Sequence, residues 1–492
     1  MNLYENLKKG FEGSKPFLLS PHSEVIYNYA DIDHLSGLVA THLVERGLVP
    51  GDRILVQFEK NVSAVVLYLA CLRAGIVYIP LNTQYLKKEL EFFAADANPK
   101  FVITDKKRKR TFELFIKTSK ILVIDELIKI SEKIKESNVN YDLESSSSDT
   151  AAVMLYTSGT TGKPKGALIS HKNLIANAQA LTNAWDWSKN DVLLHALPVF
   201  HVHGLFVGLN LPLANGSSII YLDKFSPQKV VNILPKSTVF MGVPTYYVRM
   251  LSESALTKDS CKNIRVFISG SAPLLKQTSL DFMEKTGHEI VERYGMTETG
   301  MNTSNPFQGL RKAGSVGLAL EGVQLRARNE SGDISEAGEP GEIEVRGQNV
   351  FAGYWKREEF RSRDFTEDGF FRTGDLGRID SEGYLFLIGR KKDLIISGGL
   401  NIFPKEIELV IDSFEEVQES AVIGLPHPDF GEQVVAVVVT EETARLDKPM
   451  LINKMKGEIA GYKIPKEVYF FDELPRNAMG KVQKNILREK LG

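Results

Sequence analysis

A loop rich in hydroxyls, glycines and lysines lies between residues 157 and 166 and has the composition of a phosphate-binding site. It follows an apolar run, 151–155, that we expect to form a buried strand. Small side chains let backbone N–H groups approach a polyphosphate, while hydroxyls donate hydrogen bonds and lysines offset charge. The spacing is not that of the usual P-loop, because two glycines are too close together and neither Ser nor Thr follows Lys163. The residues that we expect to contact phosphates are Thr157, Ser158, Gly159, Thr160, Thr161, Gly162, Lys163 and Lys165; the alternative is a flexible surface turn.

Two carboxylates lie in settings that suit a bound nucleotide. Glu298 follows Thr297 in the stretch 291–299, and Mg²⁺ bound to phosphates prefers one or two carboxylates. We therefore expect Glu298 and Thr157 to hold Mg²⁺, and Thr297 to donate a hydrogen bond to a phosphate. Asp375 follows a glycine and is placed to accept hydrogen bonds from both hydroxyls of a ribose. The alternative for Glu298 is an exposed turn.

Two further segments could form parts of a pocket. Small residues follow a predicted strand at 265–268, and they leave room for a flat ring at the end of a strand, where open α/β sheets bind ligands. These small residues are Ser269, Gly270, Ser271, Ala272 and Pro273; the alternative is a plain strand-to-helix turn. His201 and His203 could suggest a metal site, but no other Cys or His cluster supports one. The alternative is a pair of core or helix-start histidines.

Six motifs in a single order along the chain resemble those of the acyl-adenylate-forming superfamily, which comprises the AMP-forming acyl-CoA synthetases and their relatives. The resemblance covers nearly the entire chain, from the loop at 156–166 to the lysine motif at 474–482. It implies a large N-terminal domain, residues 1–391, built from stacked α/β subdomains with parallel-rich sheets. It also implies a small, mobile α+β C-terminal domain, residues 392–492.

The same resemblance implies a role for individual residues. The nucleotide-binding residues that it adds to the phosphate loop are Gly270, Ser271, Ala272, Pro273, Tyr294, Gly295, Met296, Thr297, Asp375, Arg390 and Lys481. The catalytic residues that it implies are Lys481, Glu298, Thr297 and His201. His201 would also line the acyl pocket and shape access for a thiol. The residues implied for the coenzyme A channel are Ser397, Gly398 and Gly399, and the implied hinge is Lys392.

The implied reaction has two halves and needs ATP, Mg²⁺ and coenzyme A. A carboxylate is a poor acylating agent, because its leaving group would be oxide. Attack of the carboxylate on the α-phosphate of ATP gives an acyl-adenylate and pyrophosphate, and a thiol then takes the acyl group. The protein mainly positions two anions and disperses their charge. Lys481 must withdraw before the second half, which explains a small domain on a hinge at Lys392.

The choice of acid rests on three stretches, 201–205, 242–249 and 296–304, which resemble malonyl-CoA synthetases. Malonate, or methylmalonate, needs a second anion site in the pocket. Arg249 is the expected partner, because a guanidinium grips a carboxylate bidentately; the alternative is a helix-surface arginine. The other residues that we expect around the acid are Ser269, Ser271 and His203 as donors, with Thr245 and Met301 limiting the size of the pocket.

Other functions stay open on the sequence alone. The acid could be a medium-chain or aromatic monocarboxylate, and the thiol could belong to a carrier protein. A non-catalytic nucleotide-binding regulator of the same fold is also possible, although intact Lys481, Glu298 and Asp375 argue against it. An ordinary P-loop kinase is disfavoured by the glycine spacing. The products separate these functions, since they would be AMP with pyrophosphate, ADP, or neither.

Length and composition limit the possible partners. The 492 residues are enough for two or three domains. A net charge of −2 gives no reason to expect nucleic acid or an anionic membrane as the main partner. The only cysteines, Cys71 and Cys261, are far apart, so a disulfide framework is not expected. We expect a small-molecule carboxylate, ATP and coenzyme A as partners of a monomer or a homodimer.

The elements that position these sites alternate between helices and strands. A strand at 52–58, a helix at 62–75 and a strand at 77–79 indicate an α/β architecture with largely parallel strands. The apolar window 62–81 contains a charged residue, a glycine and a proline, so we expect a buried helix and strand and no membrane span. The N-terminus has no apolar signal core, and the expected location is cytoplasmic. The basic run 106–110 is expected to be a solvated face.

Overall fold

Four β-sheets flanked by helices organise the chain. The computed structural model describes residues 2–133, 147–157, 164–358, 361–441, 444–477 and 480–492. Within this part, three sheets are built from strands that precede residue 391, and the fourth from strands that follow it. The predicted mixed α/β class with parallel-rich sheets is confirmed. The boundary at 391/392 stays a prediction, and the strands change sheet at that point.

A seven-stranded sheet carries the start of the predicted phosphate loop. Its order is β18-β8-β7-β4-β3-β5-β6, with neighbours parallel from β7 to β6 and antiparallel at β8 and β18. The strands are β3 (Arg53–Gln57), β4 (Val77–Pro80), β5 (Phe101–Thr104), β6 (Ile121–Val123), β7 (Ala151–Thr157), β8 (Lys165–Ser170) and β18 (Gly353–Tyr354).

A nine-stranded sheet carries most of the other predicted site residues. Its order is β15-β14-β13-β12-β11-β9-β10-β1-β2, and the strands from β13 to β1 run parallel. The strands are β1 (Pro16–Leu19), β2 (Val25–Asn28), β9 (Val192–His195), β10 (Ser218–Tyr221), β11 (Val239–Gly242), β12 (Val266–Ser269), β13 (Ile290–Met296), β14 (Gly300–Ser304) and β15 (Leu318–Ala319). The carboxyl ends of the parallel strands meet at one edge, which is where ligands bind in open α/β sheets.

Two smaller sheets complete the chain. The first is antiparallel and has the order β16-β17-β19-β20. The second has the order β22-β21-β24-β23, and a fifth strand, β25, pairs in parallel with β24. The strands of the first are β16 (Val323–Arg328), β17 (Pro340–Gly347), β19 (Phe371–Ile379) and β20 (Leu385–Arg390). Those of the second are β21 (Ile395–Ser397), β22 (Leu400–Ile402), β23 (Val417–His427), β24 (Gly431–Thr440) and β25 (Glu467–Phe470).

Helices cover the faces of these sheets. They are α1 (Leu3–Lys8), α2 (Tyr29–Glu45), α3 (Val62–Arg73), α4 (Lys87–Ala97), α5 (Lys106–Glu113), α6 (Ile124–Ser131), α7 (His171–Ala184), α8 (Leu211–Asn215), α9 (Pro227–Ile233), α10 (Pro244–Leu251), α11 (Lys276–Thr286), α12 (Arg361–Asp364), α13 (Pro404–Ile411), α14 (Lys448–Met455) and α15 (Lys484–Leu491). A π-helix, His203–Asn210, leads directly into α8. Its position beside the predicted histidine pair matters for the site, because π-helical turns are rare and often functional.

The apolar window predicted as a buried helix and strand forms α3 and β4. Ten of the twelve residues of α3 are buried, so hydrophobic burial on nearly all faces stabilises this helix. In the described part of the chain, no helix is both long and apolar enough to span a membrane. The basic run 106–110 lies in α5, where Arg108 pairs with Asp105 and Glu59 and most of the other cations face solvent.

Candidate active site

A cavity of about 1380 Å³ lies between the carboxyl ends of the strands and two later segments, 390–392 and 476–483. It brings together residues that are more than 300 positions apart in the sequence, from Thr157 to Lys481. The predicted site residues that line it are Thr157, Lys165, His201, His203, Ser271, Gly295, Met296, Thr297, Glu298, Met301, Arg390, Lys392 and Lys481.

The predicted phosphate loop begins and ends at this cavity. Thr157 closes β7 and Lys165 opens β8, and the two residues are register partners in the antiparallel pair. Lys165 is buried, with its ammonium 4.9 Å from the centre of the Tyr354 ring. Burial lowers the pKa of Lys165. The central residues, Ser158, Gly159, Thr160, Thr161, Gly162 and Lys163, lie outside the described residues, so their phosphate contacts stay a prediction.

The carboxylate predicted for magnesium is buried at the wall of the cavity. The Tyr354 hydroxyl donates to Glu298 Oε1 at 2.8 Å, and the Thr157 hydroxyl also donates to the Glu298 carboxylate. Burial raises the pKa of Glu298 above its usual value. Among the described residues no group of three or more His, Cys, Asp or Glu side chains could hold a metal ion. One carboxylate beside a hydroxyl still suits Mg²⁺ that takes its other ligands from phosphates and water, so Glu298 and Thr157 fit that role.

The predicted ribose carboxylate is held in a fixed orientation. The Tyr294 hydroxyl donates to Asp375 Oδ2 at 2.6 Å, and Arg390 Nε lies 2.9 Å from Asp375 Oδ1. Asp375 is buried just behind Gly374 and Arg390, which line the cavity. A carboxylate has about four acceptor positions, so the two oxygens can still accept from a ribose. That contact stays a prediction.

The segment predicted to pack against adenine departs from a simple turn. Ser271 has a φ of 74°, in the left-handed region that residues other than glycine rarely adopt. Such strain is typical of binding sites. A Cβ on Gly270 would lie 2.5 Å from the Arg293 guanidinium, so glycine is needed there to admit the arginine. Ala272 is half-buried and Pro273 is exposed, and neither lines the cavity; their adenine contact stays a prediction.

An arginine that the sequence analysis overlooked lines the end of the cavity that holds His201 and His203, which we call the acyl end after its predicted role. Arg293 is 4% exposed, and neither its Nε nor its Nη2 has a hydrogen-bond partner among the described residues. Burial lowers its pKa to about 9. Two nearby buried atoms, His203 Nε2 and Ser269 Oγ, likewise have no partner in the described part of the chain. The only sequence signal for Arg293 is its place directly before Tyr294 in the motif.

The two predicted histidines are neutral neighbours of this arginine. Burial, followed by the charges of Arg293 and Lys481, lowers the pKa of His201 to about 4. Burial, again followed by Arg293, puts the pKa of His203 well below its usual value. His203 Nδ1 lies 3.5 Å from the Ser271 hydroxyl. Neutral imidazoles leave the cationic charge at this end of the cavity on Arg293.

Two residues predicted for the acid pocket lie elsewhere. Arg249 is exposed on α10 and does not line the cavity. Tyr247 and Met250 take the buried face of this helix and turn Arg249 outward. Thr245 faces the loop that carries Lys481, since a Cβ on Gly480 would lie 2.9 Å from its hydroxyl. Neither residue lines the cavity, and the buried Ser269 does not line it either, whereas Met301 is buried and lines it.

The loop that carries Lys481 is folded back towards the cavity. Asn477 N donates to Lys481 O at 2.9 Å, and Lys481 N donates to Asn477 Oδ1 at 3.0 Å. Gly480 has a φ of 71°, which completes the turn. Lys481 as a whole residue is exposed, but its side chain lines the cavity, where the surrounding groups shield its ammonium from solvent. A positive charge at this place can meet the phosphates of a nucleotide.

Comparison with known proteins identifies this arrangement. Residues 10–355 match the AMP-binding enzyme family, and residues 406–481 match the C-terminal domain of AMP-binding enzymes. The chain belongs to the AMP-binding enzyme family.

Several members of the AMP-binding enzyme family are similar over most of their length. The malonate–CoA ligase of Arabidopsis thaliana is 33% identical over 482 residues, covering 90% of this chain and 79% of that protein. The long-chain-fatty-acid–CoA ligase of Bacillus subtilis is 32% identical over 496 residues, covering 92% and 88%. The crystal structure of ATP-bound MatB from Rhodopseudomonas palustris is 46% identical, with a TM-score of 0.95, and covers 100% of this chain and 99% of that chain.

Membership of the AMP-binding enzyme family establishes the reaction class. The chain is an acid–CoA ligase that forms an acyl-adenylate and uses ATP, Mg²⁺ and coenzyme A. The identification from six motifs is confirmed, including its closeness to malonyl-CoA synthetases. The individual site residues rest on the geometry described above.

The proposed hinge residue lies at the cavity, whereas the residues proposed for coenzyme A lie away from it. Lys392 lies in a 3₁₀ turn, Lys391–Asp393, between β20 and β21, and it lines the cavity. Ser397 ends β21, Gly398 and Gly399 form the turn to β22, and none of the three lines the cavity. Both glycines have positive φ, at 59° and 78°. Rotation at Lys392 would be needed to exchange Lys481 for these glycines, and this stays a proposal.

We expect the rate of the adenylation step to fall at high pH, because Lys481 loses its proton there. Burial, followed by the charge of Arg390, lowers its pKa from 10.5 to about 8. Because the protonated form offsets phosphate charge, kcat/KM for ATP in pyrophosphate exchange should fall about tenfold per pH unit above that pKa. A Lys481→Arg variant keeps its proton and should be slower but flat up to pH 10. The same falling limb in the arginine variant would show that a different group titrates.

Proposed function

We propose that the acid is malonate, with methylmalonate as the nearest second substrate, and that the product is malonyl-CoA. The observation that carries this proposal is the buried guanidinium of Arg293 at the acyl end of the cavity, two of whose nitrogens have no partner among the described residues. Burying a charge without a partner is costly, and native proteins normally pair it. A substrate carboxylate at this place would supply the missing partner.

The surrounding groups complete an anion site. His203 Nε2 and Ser269 Oγ are buried and have no partner among the described residues, and Ser271 lines the cavity together with His203. Ser269 ends β12, and the Arg293 side chain from the neighbouring strand β13 packs against Gly270, the residue that follows Ser269. A neutral His203 can donate through its Nε2–H without adding charge. Together these donors suit a second carboxylate better than they suit an apolar chain.

The competing acids fit the same cavity less well. A medium-chain or aromatic monocarboxylate would place apolar atoms against Arg293 and leave its charge unpaired. The names of the relatives do not choose between the acids, because a malonate ligase and a long-chain-fatty-acid ligase match at 33% and 32% identity. The buried arginine is therefore the feature that favours a dicarboxylate.

The chain's own residues account for the first half-reaction. The reacting carboxylate of the acid is ionised at neutral pH and attacks the α-phosphate without a general base. Lys481, Thr297 and the phosphate loop would hold the phosphate oxygens, and Asp375 with Arg390 would orient the ribose. When bound at Glu298 and Thr157, Mg²⁺ would offset the charge on the phosphates. His201, neutral and at the cavity wall, would separate the acyl pocket from the route of the thiol.

Pyrophosphate release across a panel of acids tests the proposal. Purified enzyme is given ATP, Mg²⁺ and coenzyme A with malonate, methylmalonate, succinate, acetate, octanoate or benzoate. Strong release with malonate that leads to a CoA thioester is the expected result. Release only with octanoate or benzoate would contradict the dicarboxylate assignment and keep the ligase chemistry. Replacing coenzyme A with an acyl-carrier protein in the same assay tests the alternative thiol.

A further inference from the structure

A buried lysine that does not line the active-site cavity makes three polar contacts, and the reaction described above does not use it. Lys60 follows β3 and is only 9% exposed. Its Nζ lies 2.8 Å from His195 Nδ1 and 2.9 Å from His195 O, and it stands 4.2 Å from the centre of the Tyr221 ring. These contacts use its three N–H directions, two on His195 and one on the ring face. The lysine thus joins the end of a strand in one sheet to β9 in the other.

The partner histidine is fixed in one tautomer by its contact with Gly204. Because a carbonyl oxygen can only accept, the proton of the neutral ring must sit on Nε2, and Nδ1 accepts from Lys60. That Nε2–H donates to the carbonyl oxygen of Gly204 at 2.8 Å. A Cβ on Gly208 would lie 2.4 Å from His195 Nε2, so the π-helix leaves a space for the ring. The result is a continuous line of hydrogen bonds from Lys60 to Gly204.

Gly204 is the point at which this line meets the active site. It directly follows His203, and Leu205 N donates to His201 O at 2.8 Å. A Cβ on Gly204 would lie 2.1 Å from the carbonyl oxygen of Pro198, so this backbone is packed closely on both sides. Any displacement of the Gly204 carbonyl would therefore move the segment 201–203, whose two histidines line the cavity.

We propose that Lys60 and His195 are positioning residues, which set the place of the acyl-pocket wall at 201–203 through the Gly204 carbonyl. The proposal depends on the proposed function only in taking this end of the cavity as the acid site. It does not depend on which acid binds there. Neither residue touches substrate, so both act through the backbone of the π-helix.

The chemistry of the network argues against a purely structural role. A buried amino group must be desolvated, and burial lowers the pKa of Lys60 well below its usual value. Apolar side chains of similar volume often stabilise a core as well or better. Burial and the charge of Lys60 also keep the pKa of His195 well below its usual value, so the imidazole stays neutral. A neutral, oriented Nε2–H is what a backbone carbonyl requires. Orientation of the wall is therefore the benefit that offsets the cost of burying the charge.

Two substitutions of His195 separate positioning from packing. In His195→Gln the side-chain amide reaches the place of Nε2 and can still donate to Gly204, whereas in His195→Asn it reaches only the place of Nδ1. Lys60→Met removes the ammonium at similar length. Lys224→Met is the matched control, because Lys224 is an exposed lysine that follows β10, the strand after β9 in the chain. All are assayed with whichever acid the unaltered enzyme activates, so a wrong choice of acid leaves this test intact.

The expected result is a selective change in KM. His195→Asn and Lys60→Met should raise KM for the acid about tenfold, the usual size of one lost buried hydrogen bond, while KM for ATP changes less than about twofold. His195→Gln and Lys224→Met should stay within about threefold of the unaltered enzyme. Unfolding temperatures measured in parallel show how much of each variant is folded, and the fraction of active enzyme does not affect KM.

Two outcomes would overturn the proposal. If the variants lower the unfolding temperature and kcat but leave KM for the acid unchanged, the network is structural only. If His195→Gln and His195→Asn raise KM for the acid equally, the contact with Gly204 does not carry the effect.

Discussion

Replacing Arg293 with methionine should lower kcat/KM for malonate by roughly 30-fold to several thousand-fold. Removing the partner of a buried carboxylate costs about 2–5 kcal/mol, and each 1.36 kcal/mol is a tenfold change. KM for ATP should change little, because Arg293 lines the end of the cavity that holds His201 and His203, which we propose as the acid site. Steady-state pyrophosphate release with varied malonate and varied ATP measures both quantities.

The same variant should unfold at an unchanged or higher temperature. In the free protein the buried guanidinium has two unpaired nitrogens, and burial disfavours its charged form, as the lowered pKa of about 9 indicates. Replacing it with an apolar side chain removes that penalty. A loss of activity together with a gain or no loss of stability would distinguish a binding residue from a structural one.

Arg249→Met is the control for this prediction. Arg249 is exposed on α10, and its removal should leave kcat/KM for malonate within about threefold, as for most surface substitutions. If malonate use were lost in the Arg249 variant and kept in the Arg293 variant, Arg249 and not Arg293 would be the partner of the second carboxylate.

Lys481→Ala should slow formation of the acyl-adenylate by about 10²–10³-fold, the usual effect of losing one group that stabilises transition-state charge. Its effect on the second half-reaction should be small, because Lys481 must leave the site before the thiol enters. Pyrophosphate exchange measures the first step, and transfer from supplied acyl-adenylate to coenzyme A measures the second. Equal losses in both steps would contradict the separation of roles.

Lys392→Pro should give the reverse pattern. Proline restricts φ to about −65°, which suits the 3₁₀ turn seen here but hinders the rotation that would bring Gly398 and Gly399 to the thiol. Adenylation should persist while thioester formation falls. Lys392→Ala is the matched control, since it removes the ammonium and keeps the backbone free. If the proline and alanine variants behave alike in both steps, Lys392 is not the hinge.

Local features of the chain were predictable because they depend on neighbouring residues. The apolar window 62–81 forms a buried helix and strand, α3 and β4, as its composition indicated. The strand predicted at 151–155 forms β7, which continues to Thr157 at the cavity. Predominantly apolar runs of these lengths bury well only within a sheet or against one, so each could be assigned without the rest of the chain.

The direction of side chains was less predictable, and the two arginines show why. Arg249 lies in a stretch resembling malonyl-CoA synthetases, but Tyr247 and Met250 take the buried face of α10 and leave Arg249 in solvent. Arg293 lies in β13, between two other strands of the sheet, where both faces are covered. A charged residue in a strand that is covered on both faces is unusual, and only the position of the cavity explains it.

The sequence by itself determined the family, the reaction class and the co-substrates, because these follow from the types and order of motif residues. It also predicted Lys481 and Glu298 as site residues, and the structure places both at the cavity. Only the tertiary structure decided that Arg293 lines the cavity, that Arg249 does not, and that Lys60 contacts His195. These facts depend on contacts between distant segments, and a buried polar group shows its purpose only when its partners, or their absence, are known.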